Sequence, residues 1–244
     1  MPHRYVKTLK NVVGTPSGGQ AVRLGTMFFV DIKDTHNSPI VDQTYYNNRL
    51  VNVCEDGWIV TVTDAGTQAV IWNPTIALAL LGAPSFWGST FDAVSFVPFK
   101  NKLAINNGVD KPIVIDSAFA VTYLQDEGTG SNTNTPIGRY GCTAANYHCV
   151  AGFDASPTEV VISAVGTIGT FPLDPDPNDA ISIDVGAYAP EGAASIRGIA
   201  GYRSFLLVFL QEITLQVKLG VYDDAGNHKP EFPDSFPKFG LVGK

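Results

Sequence analysis

The sequence predicts an all-β chain, a β-propeller-like array of about four antiparallel blades with one short helix and irregular termini. Three observations carry this. The stretch from Ser195 to Gly220, SIRGIAGYRSFLLVFLQEITLQVKLG, reads as a strand, a tight turn at Tyr202-Arg203-Ser204, a buried strand, a second turn near Gln211-Glu212 and a third strand. Three looser copies of the pattern run from Val41 to Val62, Phe91 to Asp116 and Gly138 to Ser163, and aligning Leu50, Leu103, Cys149 and Leu206 spaces them by 53, 46 and 57 residues. Repeats of roughly 40–50 residues built from short strands mark propeller blades. Val, Ile, Thr, Tyr and Phe dominate the ordered runs, which favours strand over helix. A β-sandwich also strings short strands between turns. The two architectures differ in whether the copies form separate sheets or one continuous sheet.

In chain order, residues 1–20 are polar and carry Gly14, Pro16, Gly18 and Gly19, so they read as an N-terminal arm. The propeller-like domain is expected over 21–220. It opens with a strand at Leu24–Ile32, followed by the turn cluster DTHNSP at 34–39. Strands are expected near 42–46, 49–54, 58–63 and 68–72. Arg49 to Val53 alternates polar and apolar residues, as a strand with one inward face does. Asp64-Ala65-Gly66-Thr67 supplies a hairpin loop. Ile76–Leu81 is the helix candidate, with Asn73 as N-cap, Pro74 as first helical residue and Gly82 and Pro84 ending it. Asn106-Asn107-Gly108 is a turn between strands. Residues 128–138, GTGSNTNTPIG, read as a long inter-blade loop because the repeat resumes at Arg139. Residues 173–179, LDPDPND, bunch three carboxylates, but they lack the acid spacing, Gly and distal Glu of a calcium loop and read as a solvated acidic turn. Residues 221–244 hold too many Pro and Gly for regular structure and read as a C-terminal loop or tail whose aromatics pack against another subunit or a neighbouring protein.

Apolar residues make up 45% of the 244-residue chain and charged residues 16%, enough for a large β core. The formal charge of −7 disfavours any grip on a phosphate backbone but permits a surface past which DNA slides. The three cysteines, Cys54, Cys142 and Cys149, form no CxxC and are odd in number, so they read as small buried hydrophobes. No metal or cofactor is expected. The N-terminus lacks a continuous apolar core of a signal peptide, and the longest apolar runs, such as Phe205–Leu210, are too short to span a bilayer.

Catalytic signatures are missing. The four histidines, His3, His36, His148 and His228, lie in termini, a turn cluster and a strand, and there is no GxSxG elbow, GxxxxGK[ST] loop or HExxH. The chain is therefore read as a non-enzyme. The residues singled out are aromatics beside turn formers: Phe86 and Trp87 next to Gly88, and Tyr222, Phe232, Phe236 and Phe239 beyond Gly220. Aromatics are enriched at interface hot spots, so these six are the candidate interface residues.

At Phe99–Asp116, FKNKLAINNGVDKPIVID, and again at Ile196–Val217, IRGIAGYRSFLLVFLQEITLQV, the chain resembles the β-propeller tail hub or nozzle (tail tubular) proteins of short-tailed bacteriophages. The blade form is a strand, a Tyr-Arg or Phe-Lys turn and a Leu-rich strand. The NGVDKP step at 107–112 and the FPDSFP run at 232–237 add to the likeness, which covers about 45–244. The resemblance implies a virion tail component made in the host cytoplasm. It would form a homohexameric ring below the portal and adaptor, beside tail fibre or spike proteins, around a channel that DNA passes without sequence-specific binding. Members of that family are longer, so this chain reads as a shortened relative, one part of a split protein or an incompletely covered chain. The alternative is a carbohydrate-binding or carbohydrate-active propeller, which would need acids and aromatics clustered at one mouth of the array.

Overall fold

The computed structural model describes residues 12–14, 20–22, 32, 35–73, 91, 93–127, 130, 134–172, 180–188, 195–211, 213–224 and 226–232. Among these, four separate antiparallel sheets follow one another along the chain, as blades do. Blade 1 is β3 (Ile40–Tyr46), β4 (Arg49–Cys54), β5 (Ile59–Thr63) and β6 (Gln68–Trp72). Blade 2 is β7 (Ser95–Phe99), β8 (Lys102–Asn106), β9 (Ile113–Ile115) and β10 (Val121–Tyr123). Blade 3 is β11 (Tyr140–Ala144), β12 (Tyr147–Ala151), β13 (Glu159–Ile162) and β14 (Ile181–Asp184). Blade 4 is β15 (Gly198–Tyr202), β16 (Phe205–Phe209) and β17 (Thr214–Lys218). The fold is of the β-propeller type, and the expected strand pairs fall in four sheets rather than one. Ahead of the blades, β1 (Val12–Gly14) pairs antiparallel with β2 (Gln20–Val22), so the segment expected as a polar arm carries strand. The helix expected at 76–81, the acidic turn at 173–179 and all of the strand expected at 24–32 except Ile32 lie outside the described residues.

Each blade opens with a two-residue hairpin. Asn47-Asn48 and Ala145-Asn146 hold both central residues at positive φ, the geometry that matches strand twist. Lys100-Asn101 and Arg203-Ser204 do so only at the first residue. These turns fix the register between repeats. Counting from them, the partner of Leu50, Leu103 and Leu206 in blade 3 is His148, not Cys149, so the sequence alignment slips by one residue there.

Strand alternation divides every blade into two faces, and the cores form between blades. Val51 and Val53 of β4 meet Leu103 and Ile105 of β8, together with Trp72, Ile113 and Ile115. Ala104, on the other face of β8, joins Val97, Val114 and Val150 of β12. Cys149 and Ala151, on the other face of β12, meet Leu206 and Val208 of β16. The same rule holds at each junction: the Leu-bearing face looks back to the previous blade and its neighbour looks forward. Leu103 and Leu206 are fully buried as expected. Leu50 is only half-buried: among the described residues no blade packs behind blade 1, and its backward face packs with Ile32, Val60 and Val62.

His148 occupies a Leu position with one ring nitrogen satisfied locally, while Nε2 is buried with no hydrogen-bond partner among the described residues. It is fully buried, Nδ1 lies 2.7 Å from the Ile168 carbonyl oxygen, and the ring meets Phe171 edge-on. Burial pushes its pKa down to about 4 from 6.5. As pH falls through 6.5 the unfolded chain takes up a proton that the folded chain refuses until about pH 4, so stability falls over that window. The loss should reach on the order of 3 kcal/mol. Urea unfolding of wild type and His148→Leu from pH 7 to 4 checks this. The variant should lose most of the pH dependence, and an unchanged profile would refute the assignment.

Candidate functional site

The aromatic residues beyond blade 4 do not stand free where they are described. Residues 221–224 and 226–232 fold back onto their own domain: Lys218 and Glu231 form a β-bridge and an ion pair at 3.1 Å, and Tyr222 bridges His228. His228 stacks on Tyr147 of β12 at 4.8 Å, and its Nε2 accepts the Gly220 N–H at 3.1 Å. The Tyr147 and Tyr222 hydroxyls lie 2.9 Å apart. Phe232 stacks on Tyr188 at 4.1 Å and packs against the core between blades 3 and 4. The apolar requirement of Phe232 is therefore met within the chain, while Tyr222 stays 43% exposed. Phe86, Trp87, Phe236 and Phe239 lie outside the described residues.

A second surface was not singled out by the sequence. The four hairpin turns lie along one edge of the array and are laced from blade to blade. Tyr46 OH donates to the Asn101 carbonyl, and Asn47 Nδ2 to that of Ser117 at 2.7 Å. Thr143 Oγ1 donates to the Pro98 carbonyl at 2.7 Å, Lys100 Nζ to that of Gly166 at 2.6 Å, and the Ala145 N–H to that of Arg203 at 3.2 Å. Tyr45 and Tyr202 are 57% and 55% exposed here. Arg203 lies over Tyr202 at 5.4 Å and Arg49 over Phe119 at 4.3 Å. Tyr45 faces one acid, Asp64, at 3.3 Å. The rim therefore pairs its aromatics mostly with cations, in a chain that is acidic as a whole.

At the opposite end of blade 1, His36, Cys54 and Asp56 bring a nitrogen, a sulfur and an oxygen within 4.8 Å of one another. Burial first and Asp56 second push the Cys54 thiol up to about 12, so it is a neutral thiol at neutral pH. Cys149 is also raised, by its hydrogen bond with Cys142 directly opposite on β11 and by burial. Cys54 and Cys149 are buried, as their reading as small hydrophobes implies, and Cys142 is half-exposed.

No protein-family model matches the chain, and no curated protein matches it. Some solved structures are similar to it. Hsv2 of Kluyvelomyces marxianus is 9% identical with a TM-score of 0.49, over 82% of this chain and 61% of that one. Prp20p of Saccharomyces cerevisiae is 10% identical with a TM-score of 0.46, over 84% and 54%. The N-terminal domain of Nup159 is 9% identical with a TM-score of 0.44, over 84% and 51%. The chain thus spans little more than half the length of these three propellers, and at such identity the likeness concerns fold alone.

Proposed function

We propose that this chain is a non-enzymatic structural module that completes its propeller through a neighbouring copy. In this reading it forms part of a ring in a phage tail hub or nozzle, the family its blades resemble, and the DNA leaves through that ring. The observation that supports the reading is the open end of the array. Cores join blades 1 and 2, 2 and 3, and 3 and 4, and among the described residues no core joins 4 to 1. Among the described residues, the forward face of blade 4 leaves Leu207 and Phe209 of β16 half-buried and outside every core. By the packing rule of the other blades, that face calls for a following blade. A head-to-tail contact of this kind generates a ring when its rotation closes. The acidic charge suits a ring whose channel must release phosphates rather than hold them. The carbohydrate reading is less favoured, since of the two exposed rim aromatics only Tyr45 sits beside an acid, Asp64, while Tyr202 sits beside Arg203, so acids and aromatics do not cluster there.

The test is native mass spectrometry of the full chain beside the double variant Leu207→Glu, Phe209→Glu. Wild type should give a ring oligomer that survives moderate salt, because apolar contacts are not screened. The variant should be monomeric with its strand circular dichroism retained. A monomeric wild type, or an oligomer indifferent to both charges, would overturn the proposal.

A further inference from the structure

Two turns and a strand end converge on the His36 cluster. Cys54 closes β4 with its side chain in the apolar pocket of Ile32, Val60 and Val62. The β4–β5 turn then folds tightly: Gly57, at φ +81, donates its N–H to the Cys54 carbonyl, and the Cys54 N–H donates to that of Trp58. Asp56 therefore sits directly beyond the thiol. His36 arrives from the segment before β3, where its N–H and that of Thr35 both donate to the Ile32 carbonyl. Its ring lies flat on Trp58, with centroids 3.9 Å apart and planes 4° from parallel. Asp56 Oδ1 faces the Trp58 N–H at 3.5 Å, and Oδ2 is 2.7 Å from His36 Nε2.

We propose that His36 Nε2, Cys54 Sγ and Asp56 Oδ2 bind a divalent ion of the zinc class, which clamps the segment before β3 to the β4–β5 turn of blade 1. The donor set is the imidazole, thiolate and carboxylate combination that suits zinc. Ligand bonds of about 2.0–2.3 Å in a tetrahedral site place donors about 3.3–3.8 Å apart. The donors lie within 4.8 Å of one another, so binding swings Asp56, whose side chain is 45% exposed, to widen the histidine contact and draws the widest separation in by up to about 1 Å. Stacking on Trp58 and burial of Cys54 hold the other two donors, so little ordering remains for the ion to impose. On binding, the sulfur–hydrogen bond breaks, its proton goes to water, and a sulfur–metal bond forms. Water takes the fourth position from the open Asp56 side.

The experiment titrates the full chain, after chelator treatment, with Co(II) and then Zn(II). The expected result is a near-ultraviolet sulfur-to-cobalt charge-transfer band with visible bands of a tetrahedral ion, both displaced by Zn(II). Cys54→Ser should abolish the near-ultraviolet band, and Cys149→Ser should leave it intact. His36→Ala and Asp56→Asn should each weaken Co(II) binding by about tenfold or more, the scale at which even supporting residues of metal sites act. Absence of the band in wild type, or its survival in Cys54→Ser, overturns the proposal. If Cys54→Ser does not fold, the two surface variants decide, and unchanged Co(II) affinity in both overturns it as well.

Discussion

Gly201→Ala should loosen blade 4 from blade 3 and cost about 3 kcal/mol of unfolding free energy, the upper part of the usual range for overpacking. Gly201 lies in β15, the strand that runs beside β11 of the previous blade. A Cβ there would collide with the Thr143 carbonyl oxygen and lie 2.8 Å from its carbon and 3.1 Å from the Ala144 Cα. These are backbone atoms, and backbone cannot swing aside as a side chain can. Thr143 is also tied to blade 2 through its hydroxyl on Pro98, so moving β11 away would disturb a second junction. The Ala145 N–H to Arg203 carbonyl bond, two residues further on, would stretch with it. Gly198 provides the control on the same strand, because a Cβ there meets only Phe209 at 3.6 Å, an ordinary contact. Gly198→Ala should stay within about 0.5 kcal/mol of wild type. Urea unfolding of the two variants side by side decides the matter. Equal midpoints would mean that β15 and β11 do not approach as closely as described.

The blades were legible because hairpin turns and apolar alternation are local signals. Asn47-Asn48, Asn106-Asn107-Gly108 and Arg203-Ser204 all stand where turns were expected, and the strands between them follow. The register of blade 3 was not legible, for a physical reason. Aligning on apolarity selects Cys149, while the Ala145-Asn146 turn places His148 in line with the leucines. Nothing local reveals that a histidine at that place will find the Ile168 carbonyl, which belongs to a loop formed 20 residues later. Phe232 poses the same difficulty. Its need for cover was visible, but its partner Tyr188 lies beyond all of blade 4 in sequence, so cover from a neighbouring subunit was an equally good expectation. His36 and Cys54 are likewise separated by the whole β3 strand and join only when the β3–β4 hairpin closes. Residues brought together by tertiary structure carry no spacing signature, whereas the strand pattern does.

Leu206→Ala should cost about 2–5 kcal/mol, because it removes a buried side chain from the junction between blades 3 and 4 and leaves a cavity. Leu206 has no exposed surface, and its cross-strand neighbours are Gly201 on one side and Val217 on the other. Gly201 has no side chain with which to fill the space, and β-branched Val217 has little rotamer freedom to do so. The remaining walls, Cys149, Ala151, Ile162 and Val208, are themselves fully buried, so collapse into the hole would need several residues to shift together. Leu50 occupies the same place in blade 1 but is only half-buried, so Leu50→Ala should cost clearly less, about 1 kcal/mol. Leu207, next to Leu206 but on the forward face, lies in none of the cores formed by the described residues. In dilute monomer Leu207→Ala should have a small effect, whereas in an assembled ring it should weaken association. The three truncations therefore separate the inward, terminal and forward faces by stability alone. A Leu206→Ala midpoint shift worth less than about 1 kcal/mol, or one equal to that of Leu50→Ala, would place Leu206 outside a packed junction and break the blade-to-blade packing rule.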